Sequence, residues 1–242
     1  MSPGVDSRIT SHAVESQMRN WELARLQRAA RPREARPEVE DFVTISREVG
    51  VQGEEVADRL GERLGWPVLG RKILETMAGD DAIRRRIYES MDQRDLKWYQ
   101  GALFAIFVKD FGRNDYFRRL CETVLSLARQ GPAVFVGRGC DRLLPAHHGL
   151  RVRLIAPAAE RQRAFARERG LEAAEAAREM ERITRERAEF LEHHFAVDAE
   201  DPTRHDLTIN LGTTSADEAV DIILAARDAR RRARAGRATP AG

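Results

Sequence analysis

The sequence predicts an α/β fold, a five-stranded sheet with helices packed on both faces. Short β-branched and aromatic runs recur near residues 42, 67, 133, 151 and 206. Between them lie segments whose apolar residues repeat at helical spacing, and alternating strands and helices assemble into such a sandwich. The length, 242 residues, suffices for one substantial core, so one main domain is expected over residues 41–228.

Residues 1–40 are polar and arginine-rich. Ser11 to Ala30 can form a helix carrying Val14, Met18, Trp21 and Leu26, and Pro32 and Pro37 then end it in a linker. A tryptophan side chain is largely apolar, so this arm is expected to pack. It does so either on its own domain or on a second copy of the chain, giving a homodimer.

Phe42-Val43-Thr44-Ile45 has the composition of a buried strand, and Val56, Leu60 and Leu64 form one apolar stripe of a helix. Between them, Gly50 and Gly53 let the backbone turn closely. A strand, a glycine loop and a helix N-terminus make a cradle for phosphate, because free amides and the helix dipole both favour an anion. The same arrangement also serves as an ordinary strand-to-helix connection. The strict phosphate-loop pattern G-x-x-x-x-G-K-[ST], counted from Arg47, puts Gln52 on the second glycine, Gly53 on the lysine and Glu54 on the hydroxyl residue. The two side chains that meet phosphate and magnesium are therefore missing from their usual places.

Trp66-Pro67-Val68-Leu69 is a short strand candidate. Residues 71–130 then read as three helical pieces, one around Ile73 and Met77, one over Leu96 to Val108, and one through Phe117, Leu120, Val124 and Leu127. So much helix exceeds a plain crossover, and it is expected to be a substrate-binding insert over the strand ends, or else helical cover for the sheet. Ala133 to Val136 is a fully buried strand, followed by Gly137-Arg138-Gly139. Ligands of open α/β sheets bind in the crevice beyond the carboxyl ends of the strands. Arg138 is placed there either to meet an anion or to pair with a carboxylate.

Leu150 to Ile155 is the fourth strand, and residues 157–196 form a lid-like pair of helices carrying Arg161, Arg163, Arg167, Arg182, Arg185 and Arg187. The adjacent pairs His147-His148 and His193-His194 have poor geometry for chelation; on a helix, neighbours point about 100° apart. His205 to Asn210 turns into the last strand, and Ser215 to Glu218 is a capping box opening the final helix. The basic tail, 229–242, is expected to be disordered and to act as a solubilising end rather than a nucleic-acid contact.

From Ser46 through Arg71 the sequence resembles the cytidylate kinase-like family. Its members carry a loop of the form S-R-x-x-G-S-G-G-R-E-I, then a short strand and an Asp-Arg pair. Here Gln52 replaces a glycine, Glu54 the arginine and Gly70 the aspartate, so the loop is degenerate. The resemblance covers residues 41–227. It implies a three-layer α/β/α phosphate-loop kinase fold with a five-stranded parallel sheet in the order 2-3-1-4-5. It further implies phosphoryl transfer from ATP, with Mg2+, to a nucleoside monophosphate such as CMP or another small phosphorylated acceptor. The damaged loop leaves a second outcome, a weak or inactive nucleotide- or phosphometabolite-binding protein. On this resemblance Ser46, Arg47, Gly50, Val51, Gln52, Gly53 and Glu54 make the donor-phosphate loop. Arg138 takes the acceptor phosphate, from the place where the family has G-R-D, and Asp141 lies two residues past that aspartate. Arg161, Arg163 and Arg187 close over the reaction.

Composition excludes some classes. The formal charge is only +2, although 33% of residues are charged. Lysine occurs only at Lys72, Lys97 and Lys109, so cationic chemistry falls to arginine, which suits bidentate contacts to phosphate. Cys121 and Cys140 form no metal-spaced pair and no disulfide framework, as expected of a cytoplasmic protein. No apolar run is long enough to cross a membrane, and no hydrophobic signal segment opens the chain.

Overall fold

The computed structural model describes residues 15–17, 19–23, 25–28, 30, 39, 41–89, 91, 93–107 and 115–238, apart from the side chains of 93–95, 104–107 and 235–238. Strands β1 (Phe42–Arg47), β2 (Val68–Leu69), β3 (Ala133–Val136), β4 (Leu150–Ile155) and β5 (Leu207–Asn210) form one sheet. Its order is β2-β3-β1-β4-β5, and every neighbouring pair runs parallel. This is the architecture and strand order that the sequence resemblance implied.

Helices cover both faces because β1, β2 and β3 place apolar residues on both. Alternation along β1 sends Phe42 to one core and Val43 and Ile45 to the other. On the second face lie α1 (Gly53–Leu64), which places Val56 and Leu60 there, and the C-terminal helix, which adds Val220 and Ile223. The first face is covered by the insert, which has four helices rather than three: α2 (Arg71–Gly79), α3 (Asp81–Glu89), α4 (Gln93–Phe107) and α5 (Asp115–Gln130). The extra break is local chemistry. Asp80 ends α2, and its carboxylate accepts from the amides of Ala82 and Ile83, starting α3.

After β3 comes the short α6 (Cys140–Leu143), and after β4 the hairpin of α7 (Ala158–Arg169) and α8 (Ala173–Phe195). Phe165, Ala176 and Met180 of this hairpin enclose Val49, so it is docked on the loop after β1. The last helix, α9, spans Ala216–Ala238. Ser215 and Glu218 form the expected reciprocal cap at its start.

Two expectations about the chain ends resolve differently. The tail from residue 229 is helical as far as Ala238, not disordered; residues 239–242 lie outside the described residues. Its arginines find partners on the domain: Arg230 reaches Asp206 and the Ala146 carbonyl, and Arg234 reaches Asp41. The arm packs on its own domain. Trp21 is 1% exposed and sits with Leu69, Leu74 and Met77, while Gln17 Oε1 accepts from the Val68 amide at 2.9 Å. Val14, Met18 and the linker prolines lie outside the described residues.

Candidate active site

Parallel strands all deliver their following residues to one edge, and the order β2-β3-β1 sets three such ends side by side about 4.8 Å apart. Arg71 follows β2, Arg138 follows β3 and Arg47 closes β1. Arg187 comes down from α8, and its Nη1 donates to the Arg47 carbonyl at 3.1 Å. Four arginines from four elements therefore converge where an open sheet binds its ligand. They feel one another. Burial pushes Arg138 down to about 10, and Arg71 and Arg187 add repulsion. Burial likewise brings Arg187 to about 10, with Arg47 and Arg71 contributing.

Arg138 is held in a costly conformation. Gly137, Arg138 and Gly139 all have positive φ, at 75°, 55° and 66°. A non-glycine residue in the left-handed region costs on the order of 1 kcal/mol or more, and such outliers gather at functional sites. The turn aims the guanidinium into the crevice, with its carbon 5.8 Å from the centroid of the Phe190 ring. There Arg138 Nη2 pairs with Glu75 Oε1. The same oxygen receives Arg71 Nε and the Tyr116 hydroxyl, each at 3.2 Å.

The loop after β1 has the cradle shape. Gly50 has φ +86°, and a Cβ there would lie 2.5 Å from the Arg161 carbonyl oxygen. Gln52, at the N-cap of α1, makes no side-chain hydrogen bond to the helix; the Gly53 amide donates to the Val51 carbonyl at 2.8 Å, and the first-turn amides after it are left to an outside acceptor. Val51 points into the core. In place of the missing lysine the loop holds Arg47. A Cβ at Gly53 would meet the Arg47 Cδ at 2.7 Å, and the guanidinium pairs with Glu54. Alongside opens a cavity of about 810 Å³, lined by Gly50, Gln52, Arg161, Arg163, Arg167 and Thr214 among others. That volume accommodates a nucleotide. Loop amides, a cation and an adjoining cavity together fit a triphosphate. The carboxylates beside the loop are already engaged, Glu54 by Arg47 and Glu48 by Arg161.

Other residues singled out from the sequence fall elsewhere. Ser46 points to the opposite face, where its hydroxyl is 3.5 Å from Asp141. Asp141 and Arg204 form a fully buried pair at 2.7 Å, which makes Asp141 a fold-holding residue. Arg161 braces the loop, donating to the carbonyls of Val49 at 3.1 Å and Ala156 at 3.0 Å and pairing with Glu48 at 3.1 Å. Arg163 is exposed on the cavity wall. Of the three arginines assigned to closing over the reaction, only Arg187 stands in the cluster. Arg71 was passed over although it is the surviving half of the Asp-Arg pair. Glu75 had no signal beyond its i,i+4 spacing to Arg71.

Residues 42–213 match the sequence model of the cytidylate kinase-like family. No curated protein matches the chain. Among solved structures, an uncharacterized protein from Eubacterium ventriosum ATCC 27560 superposes with a TM-score of 0.55 at 18% identity, covering 78% of this chain and 99% of its own. TT1252 from Thermus thermophilus gives 0.42 at 22% identity, over 78% of this chain and 98% of its own. Dephospho-CoA kinase from Campylobacter jejuni gives 0.35 at 14%, over 77% and 98%. The first of these is a likeness of fold.

Proposed function

This chain belongs to the cytidylate kinase-like family, and on that premise we propose that it is a phosphotransferase moving the γ-phosphoryl group of ATP to a nucleoside monophosphate, CMP-like, or to another small phosphorylated acceptor. One observation carries the reading: Arg47, Arg71, Arg138 and Arg187 converge at the strand ends and, among the described residues, only the carboxylates of Glu54 and Glu75 pair with them. Four cations against two carboxylates leave a surplus of two charges, which suits a phosphate dianion. Phosphoryl transfer asks for positioning and charge neutralisation more than covalent chemistry. Arg138 and Arg71 hold the acceptor phosphate, and Arg187 stands between acceptor and loop, where charge builds as the group moves. Loop amides and Arg47 hold the donor phosphates, with Arg161 fixing the loop. Magnesium, when bound with ATP, supplies neutralisation of the phosphates.

The test is transfer from ATP to a panel of nucleoside monophosphates, followed by phosphorus NMR, in the full chain and in Arg187→Met. Transfer that falls with Arg187→Met supports the reading, and nucleotide binding without transfer supports the second one. That second reading, a binding protein with little turnover, is favoured by the Arg47–Glu54 pair, in which Glu54 stands where the family carries arginine. Arg47→Ala separates the loop's role in either case. It should weaken ATP binding by about tenfold, the worth of one charge-assisted contact. Unchanged ATP affinity would remove this loop from the donor site.

A further inference from the structure

Glu75 has a position that neither transfer nor folding explains. It lies on the second turn of α2, 63 residues from Arg138 in sequence, yet one of its oxygens receives three donors: Arg138 Nη2, Arg71 Nε and the Tyr116 hydroxyl. Two of those donors are guanidiniums at the strand ends, that of Arg138 mostly buried and that of Arg71 exposed. The Glu75 side chain is 30% exposed, so it is neither locked in the core nor free in water. Arg138, meanwhile, is not fully satisfied: its Nε is buried and has no partner among the described residues. A carboxylate and a phosphate have the same appetite for guanidinium donors. The contacts that Glu75 holds are therefore those an incoming phosphate needs.

We propose that Glu75 is the resident anion of this seat, a competitor that a phosphate monoester dianion must displace from Arg71 and Arg138 as it binds. The inference rests on the acceptor-phosphate reading above and adds a specificity device to it. Without a ligand, the carboxylate offsets one of the two clustered guanidinium charges, which limits the cost of their mutual repulsion. With a ligand, the exchange is favourable only for an anion that engages both arginines better than Glu75 does. A monoanion or a small carboxylate gains little over the group already there, whereas a phosphate dianion brings more charge and a third oxygen. Discrimination of this kind works by giving the wrong ligand a rival. Tyr116 assists, since its hydroxyl helps to hold the carboxylate in place.

The experiment is calorimetric titration of inorganic phosphate, CMP and acetate into the full-length protein at fixed ionic strength. It compares the unaltered chain with Glu75→Gln, Tyr116→Phe and Arg138→Lys. Removing the rival charge should tighten phosphate and CMP by about tenfold in Glu75→Gln, and should raise acetate binding proportionally more. Tyr116→Phe, a mild change should Glu75→Gln fold poorly, should tighten phosphate by about twofold to threefold. If both variants bind phosphate equally or more weakly while Arg138→Lys loses it, Glu75 is a positioning residue that aims the arginines. The inference then fails and the acceptor site stands. If neither the unaltered chain nor any variant binds phosphate or CMP, the acceptor-site reading and the inference fall together.

Discussion

At the scale of the residue, the site is made of side chains whose other interactions leave them unsatisfied. Arg138 occupies a left-handed turn that glycine would adopt without cost, is half-buried and stands beside two other arginines. Nothing in the packing of β3 requires that arrangement. Arg138→Lys keeps the charge but loses the planar fork. It should therefore weaken binding of a phosphate-bearing acceptor by about one to two powers of ten, with little change in melting temperature; isothermal titration and a thermal melt check both. By contrast Asp141, fully buried against Arg204, belongs to the fold. Asp141→Asn leaves a buried guanidinium uncompensated and should cost about 3–5 kcal/mol in chemical denaturation. Charge also sets a limit at high pH. Burial lowers Arg138 and Arg187 to about 10, so affinity for a phosphate dianion should level off once the ligand has lost its second proton at about pH 6, and fall as the pH passes about 10.

At the scale of the element, what the sequence revealed depended on whether its signal was local. The five strands and the capping box were legible because β-branched runs and S-x-x-E spacing act within a few residues. The extra break at Asp80 was missed because a single capping aspartate inside a helical pattern is a weak signal. The last helix is legible at its start but not past residue 229, because its arginines there look like a solvated tail and their partners at Asp41 and Asp206 lie far away in sequence. The arm's tryptophan was read as packed, and the structure supplies its partner, the insert core. Trp21→Ala should cost about 3–5 kcal/mol, measured by denaturant titration, since it empties a large buried volume. Asp206 anchors the ends of β5 and α9. Burial alone would raise its pKa, but hydrogen bonds from Arg151 and Arg230 outweigh this and hold it at about 2. A depressed carboxylate contributes stability above its unfolded pKa and loses it as the pH falls. Melting temperature should therefore drop between about pH 4 and pH 2, and that drop should shrink in Asp206→Asn.

At the scale of the whole molecule, topology makes the site. Arg47, Arg71 and Arg138 are spread over ninety-one positions of the sequence (138 − 47). Only the parallel order β2-β3-β1 brings their strand ends together, and no periodicity or motif of one segment could have shown it. For the same reason Glu75 escaped notice: its relation to Arg138 exists only after folding. The α7–α8 hairpin, docked on Val49 through Phe165 and Met180, then supplies Arg187 from above and links the loop to the cluster. On the proposed reading, Arg187, whose Nη1 donates to the Arg47 carbonyl, joins the donor loop to the acceptor seat. A single ligand tests that claim directly: adenosine and cytidine joined through a chain of five phosphates, titrated calorimetrically with magnesium. Because the second half binds intramolecularly once the first is seated, its affinity should exceed that of ATP alone by about a hundredfold or more, and Arg138→Lys should remove most of the gain. An affinity equal to that of ATP, unchanged by Arg138→Lys, would contradict the account.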